Sequence, residues 1–319
     1  MFWQLTEKLA IEIVAPISIL DTLKSSLLLQ TSTTISTQRI IQLEWNEVYY
    51  TTYYQKYWKK KYGEKDNVVA NNYDGFFLIG NGFFLNYSIS SDKSYFFISD
   101  NLILDYLVFS YPFSKLLVYL LNREGYSPIH AAVIGNNSGF VMIPGKQFSG
   151  KSTTAATWVL NGGCLLSDDT CFVNPNYGNY FFGHYPSLRL REKSFPLFGD
   201  KLDRNKLKQK DQSKYFYLLQ EQIPQQFTPI ASIKAIFCLE LHEDKPSYEI
   251  VNPSTGFNYL ASSFAFSSQH GADNRLCIKT MRYLVTELPI YKVKLSPNLD
   301  SNFYFLEQLI SSIDPLELK

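Results

Sequence analysis

The sequence predicts an α/β fold in which a phosphate-loop core follows a β-rich amino-terminal region. Three observations predict it. Gly145 to Ser152 fits G-x-x-x-x-G-K-[ST], a loop whose backbone N–H groups and lysine hold phosphates. A short apolar run leads into that loop and a breaker-free stretch leaves it, the strand and helix that such a loop needs. Before residue 112, β-branched and aromatic side chains alternate in strand fashion. The expected division is 1–111 for the β-rich region and 112–319 for the core.

In chain order, Met1 to Pro16 is interrupted by Glu7 and Glu12, which argues against a signal peptide. From Leu20 to Ser99 the pattern is mostly strands, such as Gln38 to Trp45 and Gly75 to Ile79, with Gly80-Asn81-Gly82 as a hairpin turn before Phe83. Tyr53 to Lys65 interleaves lysines with aromatics. An exposed element whose lysines guard an edge is preferred there to a substrate surface. Tyr106 to Leu121 is apolar but is interrupted by Pro112 and Lys115, too short for a membrane span of roughly 20 residues. It predicts a helix over Pro112–Asn122.

In the core, Ala131–Ile134 and Gly139–Ile143 read as a hairpin turning at Asn136-Asn137-Ser138, and Ser152–Leu160 as a helix stopped by Asn161-Gly162-Gly163. Cys164-Leu165-Leu166 is the next strand. Tyr180 to Leu190 and Ile230 to Leu241 read as strands, Asp200 to Lys214 as a solvated polar excursion, and Arg275–Leu288 and Tyr304–Ile313 as helices.

Hydrophobic residues at 45% and charged ones at 18% describe a soluble globular chain, and a net charge of +1 gives no field for nucleic acid. The four cysteines show no metal or C-x-x-C spacing, so reduced thiols and a cytoplasmic location are expected.

The chemistry concentrates between His130 and Arg189. Gly145, Lys146, Gln147, Phe148, Ser149, Gly150, Lys151, Ser152 and Thr153 are the expected nucleotide-binding set. Gly145 permits the tight turn and Gly150 the close approach of backbone to phosphate. Lys151 reaches the β and γ phosphates and Ser152 ligates Mg²⁺. The strand after the helix delivers Asp168-Asp169 to its carboxyl end, where open α/β sheets place ligands. One acid can accept a proton while the other holds Mg²⁺. An Asp-Asp pair also caps turns, and the neighbouring phosphate loop favours chemistry over that reading. The hairpin would return His130 to the acids. Of His184, Arg189 and Arg191, Arg189 is the choice to face a transferred phosphate, although Arg191 could equally take the opposite side of a distorted strand.

His130-Ala131-Ala132, then Gly145 to Ser152, then Ser167-Asp168-Asp169 resemble, in order and spacing, the catalytic domain of the HPr kinase/phosphorylase family, of the HPr-kinase/PEP-carboxykinase-like fold type. The similarity is greater to the stand-alone HPr-kinase-related serine kinases of bacterial gene clusters, some of which act on peptide precursors. Tyr185 to Leu190 and Pro289 to Val293 are weaker matching segments. The resemblance implies that Asp168 is the general base, Asp169 and Ser152 are metal-associated, Lys151 binds phosphate and His130 stands beside them. It implies ATP and Mg²⁺ as cofactors and a serine of a peptide or protein as acceptor. The glycine-rich carboxyl-terminal signature that accompanies the dephosphorylating activity is not seen, which leaves phosphorylase activity open. Lys146-Gln147-Phe148 also stands where relatives more often have small residues. A small-molecule kinase and a non-catalytic nucleotide-binding module remain open, as does a homo-oligomer.

Overall fold

Alternating apolar side chains build one sheet before residue 99, and a second, different sheet carries the loop of residues 145–152. The computed structural model describes residues 1–6, 8–24, 26–27, 29–30, 39–46, 68–72, 75–80, 83–98, 113–146, 148–211, 214–241, 245–269 and 273–314. They divide into two units, Met1–Leu117 and Val118–Lys319. Tyr53 to Lys65 lies outside the described residues, as does Gln147 of the expected nucleotide set.

In the first unit, β1 (Phe2–Gln4), β2 (Leu9–Val14), α1 (Ile17–Lys24), β3 (Leu29–Gln30), β4 (Arg39–Asn46), β5 (Val68–Asn72), β6 (Gly75–Gly80), β7 (Phe83–Ser88) and β8 (Lys93–Ile98) give a sheet ordered β3-β1-β2-β4-β8-β7-β6-β5. Trp3, Ile11, Ile13, Ile41 and Leu43 are buried at alternate positions, the period-2 pattern of a half-buried sheet. β6 and β7 pair antiparallel with Gly80 opposite Phe83, as the hairpin reading requires. The strand reading fails at α1. Pro16 precedes it and Ile19 and Leu23 are buried one turn apart, a helical signal too short to stand out between strands.

In the second unit, α2 (Ser114–Arg123) spans the division, and then come β9 (Ser127–Asn136), β10 (Gly139–Pro144), α3 (Lys151–Leu160), β11 (Cys164–Ser167), β12 (Thr170–Val173) and β13 (Tyr180–Gly183). The chain continues with β14 (Ser187–Arg191), β15 (Leu207–Asp211), β16 (Lys214–Leu218), β17 (Ile230–Leu241), β18 (Ser247–Val251), α4 (Pro253–Gln269), α5 (Asn274–Glu287), β19 (Ile290–Leu295) and α6 (Leu299–Ser312). The main sheet runs β10-β9-β12-β13-β17-β19-β18, with β11 also on β9 and β17 returning to pair parallel with β10. β14, β16 and β15 form a small separate sheet. The fold is mixed α/β.

β9 is buried over nearly its whole length, and its register arranges the site. Ala131 pairs with Pro144, the last residue before the loop of residues 145–152, and His130 pairs with Thr170, the first after the acids. α3 is fastened to the same strand by the Trp158 indole N–H, which donates to the Gly135 carbonyl at 2.8 Å.

Two sequence expectations change here. Within Asp200 to Lys214, Leu207–Asp211 is a strand rather than solvated loop, because Phe216, Tyr217 and Leu218 of its partner β16 are buried and a sheet edge supplies the backbone bonds. α4 escaped prediction because its small residues blur the apolar period. Their smallness has a packing cause: a Cβ on Gly256 would lie 2.1 Å from the Ile290 Cδ1, so the helix approaches β19 closely. No helix among the described residues is long and apolar enough to cross a membrane. All four cysteines are free.

Candidate active site

β10 ends at Pro144, and the chain then turns through Gly145, Phe148 and Gly150, at φ 147°, 67° and 90°. Left-handed residues of this kind curl a loop so that its N–H groups face one concavity. Gly150 is the N-cap residue of α3, which has no side-chain cap; its first-turn amides and positive dipole end therefore suit an anion. A Cβ on Gly150 would meet nothing within 4 Å. Glycine is needed there for its φ, not for space.

Lys151 opens α3 and is only 6% exposed. Its ammonium donates to the Gly145 carbonyl at 2.7 Å and to the Lys146 carbonyl at 3.0 Å, so it ties both ends of the loop's first turn. Burial lowers its pKa while Asp169 and Asp168 oppose the shift. The Ser149 hydroxyl is buried without a hydrogen-bond partner among the described residues. Lys146 is exposed, and Ser152 and Thr153 sit half-buried in the first turn of α3.

A tie that sequence reasoning missed comes from α4: the buried Ser263 hydroxyl accepts the Gly145 N–H at 2.7 Å. Only the fold brings residues 118 apart in the chain together here, and nothing local marks Ser263 among its small neighbours. Ser263→Ala leaves a buried amide without that acceptor, at a cost of about 1–3 kcal/mol. Urea unfolding should report that loss, and nucleotide titration should report weaker binding at a loosened Gly145.

The acids occupy the bend between β11 and β12. Asp168 is 2% exposed. Its Oδ2 accepts the Arg189 backbone N–H at 2.6 Å, whereas its Oδ1 has no hydrogen-bond partner among the described residues. Asp169 has the opposite surroundings. Its Oδ1 lies 3.3 Å from Arg189 Nη1 and 3.4 Å from His130 Nδ1, and its Oδ2 accepts the Thr170 hydroxyl at 3.1 Å. The His130 Nδ1 is also 2.9 Å from the Asp169 carbonyl. A carbonyl can only accept, so Nδ1 carries the proton.

These surroundings push two adjacent carboxylates apart. Burial raises Asp168 from 3.8 to about 6, against the Arg189 amide and, more weakly, the Ser152 hydroxyl. Burial also acts to raise Asp169, but Arg189, His130, Thr170 and Lys151 together hold it below its ordinary value. Burial lowers His130, with Asp169 opposing, which keeps the imidazole neutral near pH 7. At that pH Asp169 is a fixed anion and Asp168 a carboxylate close to its titration point.

Of the residues selected from sequence, Lys151, Asp168, Asp169, His130 and Arg189 thus share one electrostatic cluster. Arg191 takes the same side of β14 as Arg189, since positions two apart on a strand share a face and Leu188 and Leu190 are buried on the other. His184 is not part of the cluster. It is 4% exposed and packs against Phe172 at 5.5 Å between ring centroids.

For Mg²⁺, the donor types fit the ion's chemistry: a hydroxyl at Ser152 and an ionised Asp169, both hard oxygen ligands. No cluster of three or more His, Cys, Asp or Glu able to hold a metal occurs among the described residues.

No family model matches this sequence, and no curated protein matches it. Among solved structures, the Hpr(Ser) kinase/phosphatase from Coxiella burnetii is similar at 10% identity and a TM-score of 0.29, over 57% of this chain and 96% of that one. The chemistry of the site therefore rests on its own geometry.

Proposed function

We propose that the chain is an ATP- and Mg²⁺-dependent kinase that transfers the γ-phosphoryl group to a hydroxyl, a serine of a peptide or protein. One observation carries the reading: beside the glycine-rich loop, a buried carboxylate oxygen, Asp168 Oδ1, has no hydrogen-bond partner among the described residues and belongs to a group whose pKa burial raises to about 6. A buried acceptor left open needs an explanation, and a base of this pKa suits proton removal near neutrality.

In the proposed reaction the loop amides and Lys151 hold the donor phosphates. Lys151 exchanges a carbonyl contact for a phosphate oxygen. Asp168 Oδ1 takes the acceptor's proton as the hydroxyl oxygen bonds to the γ phosphorus and the bond to the nucleoside diphosphate breaks. Arg189, held by Asp169, places positive charge where the transferred group becomes more negative. His130 donates to the Asp169 carbonyl and keeps the second acid in place. Mg²⁺, held by Ser152 and Asp169, would neutralise phosphate charge.

The test is transfer of labelled phosphate from ATP to a library of serine and threonine peptides across pH 5 to 8. The rate should rise as pH passes through about 6 and level off above it, because Asp168 must be ionised to accept a proton. A rate flat from pH 5 to 8 would sink Asp168 as base. Tight ATP binding without transfer to any hydroxyl would instead identify a nucleotide-binding module.

A further inference from the structure

Phe148 is an unlikely residue for its position. It stands in the phosphate loop at φ 67° with 68% of its surface exposed. A left-handed backbone costs a non-glycine residue about 1 kcal/mol or more, so the ring is held there by something. Two cations contact it: the Arg191 guanidinium carbon is 4.6 Å from the ring centroid and the Lys193 ammonium 5.2 Å. Cation–π contacts of this kind offset such strain. Neither Arg191 nor Lys193 forms an ion pair with any described carboxylate. A guanidinium lying on a ring uses its face and keeps its edge N–H groups for an anion.

We propose that Phe148, Arg191 and Lys193 form an anion-recognition subsite beside the acceptor, and that the acceptor is a peptide with a carboxylate one or two residues from its hydroxyl. This rests on the kinase reading and names its substrate class. β14 sets the spacing. Arg189 touches Asp169 from that strand, and Arg191 follows on the same face about 7 Å along. An extended peptide advances about 3.3 Å per residue. A serine hydroxyl at Asp168 therefore puts a neighbouring acidic side chain within reach of Arg191. The nucleotide is the weaker candidate for these cations. Its phosphates have Lys151 and the loop amides, while the exposed ring is engaged by Arg191, on the strand whose Arg189 touches both acids, and by Lys193 just beyond that strand.

The experiment compares two matched serine-peptide libraries, one with Asp or Glu at the positions flanking serine and one with Asn or Gln there. Wild type, Arg191→Gln and Arg191→Glu are each assayed for kcat/KM, with ATP affinity measured separately and thermal melting used to check folding. Wild type should prefer the acidic library by about two- to fivefold, the effect of one partly exposed charge pair. Arg191→Gln should abolish the preference with ATP affinity unchanged, and Arg191→Glu should reverse it toward basic flanks. Equal use of both libraries by wild type overturns the subsite while leaving the kinase intact. Lost ATP affinity in Arg191→Gln with the acidic preference retained assigns the cations to the nucleotide and also overturns it. Transfer to neither library, with ATP bound, overturns the kinase reading itself.

Discussion

Asp168→Asn is expected to lower phosphoryl transfer about 10²–10⁴-fold, the contribution of a general base, while making the ligand-free protein more stable at neutral pH. Both effects come from the same burial. The folded-state pKa of Asp168 is raised, from 3.8 to about 6, so between these values the folded chain binds more protons than the unfolded one. Its contribution to stability is therefore greatest below pH 4, falls as pH rises toward 6, and is a net penalty of about 3 kcal/mol above that. Asparagine keeps a carbonyl oxygen for the Arg189 amide and removes the buried charge. Denaturant unfolding at pH 4.5 and pH 7.5 should show the variant's advantage growing with pH, and rapid-quench assays should show the lost rate. A variant that is less stable at pH 7.5 would mean that Asp168 is paired in a way this geometry lacks.

Lys151→Ala should act on binding first. The ammonium is buried and bridges the Gly145 and Lys146 carbonyls; removal deletes the charge proposed to meet the phosphates and takes that donor from the Gly145 carbonyl, while the Lys146 carbonyl keeps the Ser149 N–H at 3.4 Å. Charge-assisted hydrogen bonds contribute about 1.5–3 kcal/mol each, so nucleotide affinity should fall about 100-fold. Isothermal titration with a non-hydrolysable ATP analogue measures this directly. Asp168→Asn in the same assay should bind within about threefold of wild type, since it adds no phosphate contact and removes none. Similar losses in both variants would mean that base and phosphate site are not separable.

The core was legible where local pattern and tertiary need agree. The β9–β10 hairpin, the strand before the phosphate loop, the helix after it and β17 were all readable, because buried strands bounded by turn residues leave a clear mark. The hairpin reading brought His130 toward the acids, and it does contact the Asp169 carbonyl, although through the pairing of β9 with β12 rather than with β10. What stayed hidden depends on contacts distant in sequence. The Ser263 tie looks like any helical serine. The opposed environments of Asp168 and Asp169 depend on Arg189 sending its backbone to one acid and its side chain to the other, which no motif records. α1 and α4 were missed because a two-turn helix and a small-residue helix give the period little to act on.

β9 carries a last consequence. It bonds β10 along one edge and β11 and β12 along the other, so the phosphate loop and the acids leave the same buried strand on opposite sides. Relative motion between donor and base would have to break that ladder. Its amides should accordingly be among the slowest in the second unit to exchange with deuterium. With the acceptor subsite proposed above, a change of substrate would fall to mutations on β14, a strand of the small sheet outside the ladder, so that chemistry and selectivity would evolve at different rates in one domain.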